Sequence, residues 1–127
     1  MKEIKFRAWD SVKKYMSNCA GIDWSSGNMT FRKWSGINLN CKEDALTQYT
    51  GLEDKNGKEI YEGDIIELTL FSPDDEDTQY ICKVVFESGC FILACNELED
   101  SFTNFIHKEE EQFEVIGNIY QNPEMIK

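Results

Sequence analysis

The stretch Leu46 to Ile66, LTQYTGLEDKNGKEIYEGDII, constrains this chain more than any other. It holds two turn signals, Asp54-Lys55-Asn56-Gly57 and Glu62-Gly63-Asp64. Asn and Gly accept the positive φ that tight turns demand. Gly63 supplies the backbone freedom of a second reversal or a bulge. The turns leave no room for a helix between them, so Glu59-Ile60-Tyr61 reads as a short strand. Ile65 to Phe71 follows as another strand, with Ile65, Ile66, Leu68, Leu70 and Phe71 giving its apolar character. The block dictates backbone geometry and holds no recognisable catalytic group. Asp54, Glu62 and Asp64 lie at turns, where acidic side chains form local hydrogen bonds. A glycosidase-like carboxylate pair would need a cleft and a defined separation.

Similar patterning runs through the rest of the chain. Ile4, Phe6 and Ala8 alternate with Lys5, Arg7 and Trp9, which is strand periodicity. Asp10 to Lys14 is a turn. Met29 to Trp34 alternates as a strand, and Ser35 to Asp44 is a loop ahead of Leu46–Thr50. Ser72 to Asp77 is a charged break whose four consecutive acids lack the alternate spacing of a calcium loop. Tyr80–Phe86 and Cys90–Ala94 form a hairpin across Glu87-Ser88-Gly89. Leu98, Phe102, Phe105 and Ile106 share one helical face, with Asn96 as a cap. Phe113 to Tyr120 is the last strand, ended by Asn122-Pro123. Short strands between polar turns predict a mainly β fold: antiparallel strands in a small barrel or curled sheets, with one short helix. A chain of 127 residues has the size of a single domain, taken here as residues 1–127.

Charge and cysteines narrow the function. Net charge is −11. Residues 1–40 hold seven Lys or Arg against three Asp or Glu, while residues 41–127 hold six against 21. An acidic body repels phosphate backbones, so direct nucleic-acid binding is disfavoured. The asymmetry suits solvated surface charge, or steering between a basic segment and an acidic surface on a neighbouring copy or partner. No apolar run approaches the roughly 20 residues of a membrane span, and the N-terminus lacks a signal-peptide core. The expected location is the cytoplasm. Cys19, Cys41, Cys82, Cys90 and Cys95 are odd in number and form no CxxC pair, so they are expected reduced. His107 is the single histidine, too few for a zinc site with these cysteines. Ser101 lacks a GxSxG context, and no phosphate-binding glycine loop occurs. The expectation is no enzyme, no metal and no cofactor.

Three groups of residues support a resemblance. Ile4-Lys5-Phe6-Arg7-Ala8-Trp9-Asp10 resembles the opening FRAWD motif of the YopX family of bacteriophage and prophage proteins. Gln48-Tyr49-Thr50-Gly51-Leu52, Asp54-Lys55-Asn56-Gly57 and Ile60-Tyr61-Glu62-Gly63-Asp64 resemble its central motif. Phe113-Glu114-Val115-Ile116-Gly117-Asn118-Ile119-Tyr120-Gln121-Asn122-Pro123-Glu124 resembles its closing motif. The matches keep their order and span nearly the whole chain. Residues 17–45 and 72–112 match only loosely. The resemblance implies a mainly β fold, homo-oligomers and a bacterial host cell. It supplies no catalytic residues.

A candidate interaction surface follows from the motifs. Arg7 and Trp9 share one face of their strand, next to Asp10, and an Arg–Trp pair suits either a hot spot or an internal cation–π contact. Tyr49 and Tyr61 flank the Asn56-Gly57 turn and either pack across a hairpin or form a binding rim. The functional expectation is a phage accessory protein that binds a host or phage protein or assembles with itself. The alternative is a nucleic-acid-related role: an acidic DNA mimic that blocks a host DNA-binding protein, or contact through the basic N-terminal segment.

Overall fold

The structure is a computed structural model that describes residues 3–23, 29–42, 45–71, 73, 76–95, 99–101 and 111–126. The chain divides into two compact units, residues 1–51 and residues 52–127. The division falls inside a strand, Leu46–Glu53. The fold is mainly β, built of curled antiparallel sheets as the strand patterning predicts.

Unit 1 begins with β1 (Phe6–Asp10), which pairs antiparallel with β2 (Tyr15–Cys19) from Phe6↔Cys19 to Asp10↔Tyr15. On its other side β1 pairs with β6 (Leu46–Glu53), from Phe6↔Gln48 to Ala8↔Leu46. A separate antiparallel sheet holds β3 (Gly21–Asp23), β4 (Thr30–Arg32) and β5 (Asn38–Leu39) in that order. Ala8, Phe31 and Leu39 form the buried centre, packed by Tyr15, Cys19, Ile22, Met29, Cys41 and Leu46. Alternation along β1 and β4 delivers Ala8 and Phe31 inward, as strand geometry requires. The sequence predicts a strand through Trp34 and a loop beyond it. Instead β4 ends at Arg32, the chain reverses at Trp34–Gly36, and β5 returns within the expected loop. Lys33 N–H bonded to Ile37 O (2.9 Å) closes this reversal.

Unit 2 takes up the last two residues of β6 and turns through Asp54–Lys58 into β7 (Glu59–Tyr61). Its five-stranded antiparallel sheet runs in the order β11 (Glu99–Ser101), β10 (Cys90–Ala94), β9 (Thr78–Glu87), β8 (Asp64–Leu70), β12 (Glu111–Asn118). β9 and β10 meet at a two-residue loop, Ser88 (φ 52°) and Gly89 (φ 83°), because Glu87 faces Cys90. Positive φ at both central positions matches the twist of paired strands. The core is Ile60, Ile66, Leu68, Cys82, Val84 and Leu93, flanked by Leu52, Leu70, Tyr80, Phe91, Cys95, Phe113 and Val115. β12 carries a bulge: Val115 faces Ile66 and Gly117 faces Ile65, so Ile116 is the extra residue. A short 3-10 helix follows at Pro123–Met125.

The helical face suggested by Leu98, Phe102, Phe105 and Ile106 lies outside the described residues, as do Asn96 and His107. The described part of that segment, Glu99–Ser101, is strand β11 paired to β10. Over Glu99–Ser101, pairing with a sheet edge takes the place of a helical turn. Among the described residues, no helix is long and apolar enough to cross a membrane.

Candidate interaction surface

The polar residues of the motifs act first on the backbone. Asp10 ends β1 and is only 1% exposed. Its Oδ1 accepts the N–H groups of Val12 (3.0 Å) and Lys13 (2.8 Å), which folds the turn back on the carboxylate. Its Oδ2 accepts Asn40 N–H (3.3 Å) and Asn40 Nδ2 (3.4 Å), bonds that reach thirty residues along the chain. Ser11 N–H adds a bond to Asn40 O at 3.0 Å. The Lys13 N–H holds the Asp10 carboxyl below its ordinary pKa against the opposing effect of burial, helped by Asn40 and Val12.

Asp54 does the same work in unit 2. Its Oδ1 accepts Asn56 N–H (2.8 Å) and Lys58 N–H (2.9 Å), and its Oδ2 accepts Val115 N–H (2.9 Å). Burial pushes this carboxyl up in pKa. The N–H groups of Val115, Lys58 and Asn56, with the Lys58 charge, outweigh burial and leave the pKa lowered. Lys55 N–H also bonds Phe113 O (3.0 Å), and Lys55 Nζ lies 3.3 Å from Glu114 Oε1. The Asp54 turn therefore lies along β12.

The second turn of the central block is tied in as tightly. Buried Asp64 accepts Tyr61 N–H at Oδ2 (2.8 Å). Gly63 (φ 86°) donates its N–H to Val84 O (2.8 Å) and accepts Ile119 N–H (2.9 Å). After β12, Asn118 Oδ1 accepts Tyr120 N–H (3.1 Å) and Gln121 N–H (2.9 Å). Asn122 Oδ1 accepts Asn118 N–H (3.2 Å). The central and closing motifs, distant in sequence, form one hydrogen-bonded assembly.

The five candidate residues separate. Arg7 and Trp9 are half-buried on one face of β1, with Arg7 opposite Asn18 and Thr47 and Trp9 opposite Met16. Asp10, Tyr49 and Tyr61 are buried. Lys5 Nζ sits 5.5 Å from the centre of the Tyr49 ring. Tyr61 donates its hydroxyl to Glu59 Oε1 at 3.3 Å. The two tyrosines therefore serve the interiors of their units and form no exposed rim. Asn40 and Asn118 escaped the sequence reading; each is an Asn beside a turn or strand end, a position where Asn routinely bonds backbone.

The exposed apolar side chains lie elsewhere. Val12 (69% exposed), Trp34 (83%) and Ile37 (55%) stand on the β1–β2 and β4–β5 turns of unit 1. In unit 2 Phe86 is exposed, with its ring 5.1 Å from that of Phe91 in an edge contact. Among the described residues, no group of three or more His, Cys, Asp or Glu side chains is placed to hold a metal ion.

Antiparallel curled sheets whose motif carboxylates brace turns define a small β scaffold. The sequence profile of the YopX protein family matches residues 5–127, so the chain belongs to that family. It is 26% identical to the SPbeta prophage-derived YopX protein of Bacillus subtilis strain 168, over 96% of this chain and 95% of that one. The fold is similar to the crystal structure of protein EF1440 from Enterococcus faecalis, with a TM-score of 0.64, 29% identity and full coverage of both chains. The crystal structure of B. subtilis YopX superposes with a TM-score of 0.63 at 23% identity, covering 97% of this chain and 95% of that chain.

Proposed function

We propose that this chain is a prophage-encoded accessory protein that works by binding protein, its own copies included, and performs no chemistry of its own. One observation carries the reading. Asp54, one of the carboxylates weighed for acid–base work, and Asp10 of the opening motif each have both oxygens occupied by backbone N–H donors. The N–H donors lower both pKa values and keep the two carboxyls ionised near neutral pH, so neither serves as a proton donor there. Exposed Trp34 is, by contrast, the side-chain type most enriched at binding hot spots. The similarity to a prophage-derived relative supports the phage origin.

Size-exclusion chromatography with light scattering, at tens of micromolar and at low and high salt, tests self-assembly. Cross-linking mass spectrometry in the bacterial host tests for other partners. A monomer at every ionic strength, cross-linked to nothing, removes the reading.

A second reading draws on unit 2. Residues 52–127 hold five Lys or Arg against 19 Asp or Glu, and Glu67 stands directly opposite Glu114 across β8 and β12. Such an acidic body suits a DNA mimic that occupies a host DNA-binding protein. Capture of such a protein with nuclease-treated lysate, lost on adding DNA, is its expected signature.

A further inference from the structure

Two turns of unit 1 bring cations and exposed apolar side chains onto one surface. The first follows β1, is braced by Asp10, and exposes Val12, Lys13 and Lys14. The second joins β4 to β5 and exposes Trp34 and Ile37. Lys33 N–H to Ile37 O (2.9 Å) and Gly36 N–H to Lys33 O (3.0 Å) close it. Lys33 Nζ rests 4.9 Å from the ring centre of Tyr15, the residue after Lys14, so the two turns lie side by side. The sequence places no acidic residue between positions 11 and 22 or between 29 and 42. Asp10, the one carboxylate at these turns among the described residues, is buried and fully engaged.

We propose that this two-turn surface docks an acidic segment of a partner protein that also carries apolar side chains. Trp34 is the anchor, Val12 and Ile37 extend the apolar centre, and Lys13, Lys14 and Lys33 form the charged rim. The inference rests on the protein-binding reading above and names its surface and the chemistry of its partner. An apolar centre within a charged rim is the ordinary anatomy of a protein interface. Complementary charge steers an acidic partner and holds its register. A phosphate polymer fits less well. Trp34 is the one fully exposed aromatic side chain of unit 1 among the described residues, whereas a series of bases stacks on several rings in succession. The net charge of −11 also repels a long polyanion wherever it leaves the basic patch.

The test uses the full chain labelled with 15N and three probes. These are a short synthetic peptide of interspersed Glu, Leu and Phe, the same peptide with Gln for Glu, and oligothymidylate. Trp34→Phe assigns the Trp34 indole signal. The acidic peptide is expected to shift that signal, and to bind at least about tenfold more tightly than the Gln peptide. Trp34→Ala and the double variant Lys13→Glu/Lys14→Glu each weaken it by a similar factor. Phe86→Ala, in unit 2, leaves it unchanged, and melting curves confirm that every variant is folded. Tighter binding of oligothymidylate, equal binding of the Gln peptide, or affinity indifferent to Trp34→Ala overturns the proposal. So does an acidic peptide that fails to bind. If the wild-type chain then still self-associates or cross-links to a host protein, the broader protein-binding reading survives while this surface is discarded.

Discussion

The Oδ2 of Asp54 accepts the backbone N–H of Val115 at 2.9 Å, across sixty-one residues of sequence. Together with the Lys55 N–H bond to Phe113 O, this bond joins the turn of the central motif to the strand of the closing motif. The same carboxylate also holds Asn56 and Lys58. Asp54→Ala removes the acceptors of all three bonds and leaves a part-buried strand N–H unsatisfied. The expected loss of stability is about 3 kcal/mol, with Asp54→Asn losing about half as much. Urea denaturation of the two variants measures this, and an unchanged midpoint for Asp54→Ala contradicts the brace.

Acid should weaken both units through the same kind of group. Asp10 and Asp54 have folded-state pKa values below the 3.8 of a free side chain. Between the folded and unfolded pKa values, the unfolded chain binds more protons, so stability rises with pH across that interval. The contribution is complete above the unfolded pKa and disappears as pH falls through the folded one. Melting temperature is therefore expected to drop steeply below about pH 4. Asp10→Asn and Asp54→Asn should melt lower at neutral pH and show a shallower acid limb. Acid limbs as steep as that of the wild type assign the pH dependence to other groups.

Two glycines are fixed by geometry. Gly63 holds φ at 86° while bonding Val84 O and Ile119 N–H, so Gly63→Val introduces a β-branched residue into left-handed backbone. A Cβ on Gly117 would lie 2.5 Å from Asn122 Oδ1, inside the turn that follows the bulge. Gly63→Val is expected to cost about 2 kcal/mol or more and Gly117→Ala about 1–3 kcal/mol. Thermal melts check both. Normal melting of Gly63→Val with lost partner binding would instead place the central block in an interface.

The cysteines should differ sharply in reactivity. Cys82 is fully buried, and burial pushes its thiol well up in pKa, with the hydrogen bond and charge of Cys95 acting in the same direction. Cys90 is exposed at the β9–β10 turn. The thiolate is the reactive form, so a thiol reagent at mildly alkaline pH is expected to label Cys90 in the native protein and Cys82 only in denaturant. Peptide mapping by mass spectrometry reads the order, and early labelling of Cys82 would show that its strand opens readily.

Much of this fold is legible from residues alone. Alternation in FRAWD places Ala8 inward, and the Gly63 reversal leads straight into β8, one residue ahead of its expected start. The hairpin at Ser88-Gly89 carries its signal in two residues. What escapes is what depends on a distant partner. Asp54 announces a turn, yet nothing in its neighbourhood names Val115, because the far partner is an anonymous backbone amide. Asn40 is invisible beside Asp10 for the same reason. Trp34 continues a strand pattern and instead tops a turn, because alternation cannot distinguish a buried aromatic from one carried past the end of its strand. Tyr49 and Tyr61 are legible as a pair of alternatives, and their burial removes the exposed rim.

The Asp54 turn has one more consequence, for how the molecule meets its own kind. β12 is the last strand of its sheet, and a last strand offers bare N–H and C=O groups to any passing chain. Here Val115 N–H is taken by a carboxylate and Phe113 O by the amide of Lys55. That stretch of rim is closed by the chain's own side chain and backbone, so copies cannot zip together strand to strand along it. One ionised aspartate thus shields a sheet edge as well as bracing a turn, and acid strong enough to protonate it would bare that edge to strand pairing.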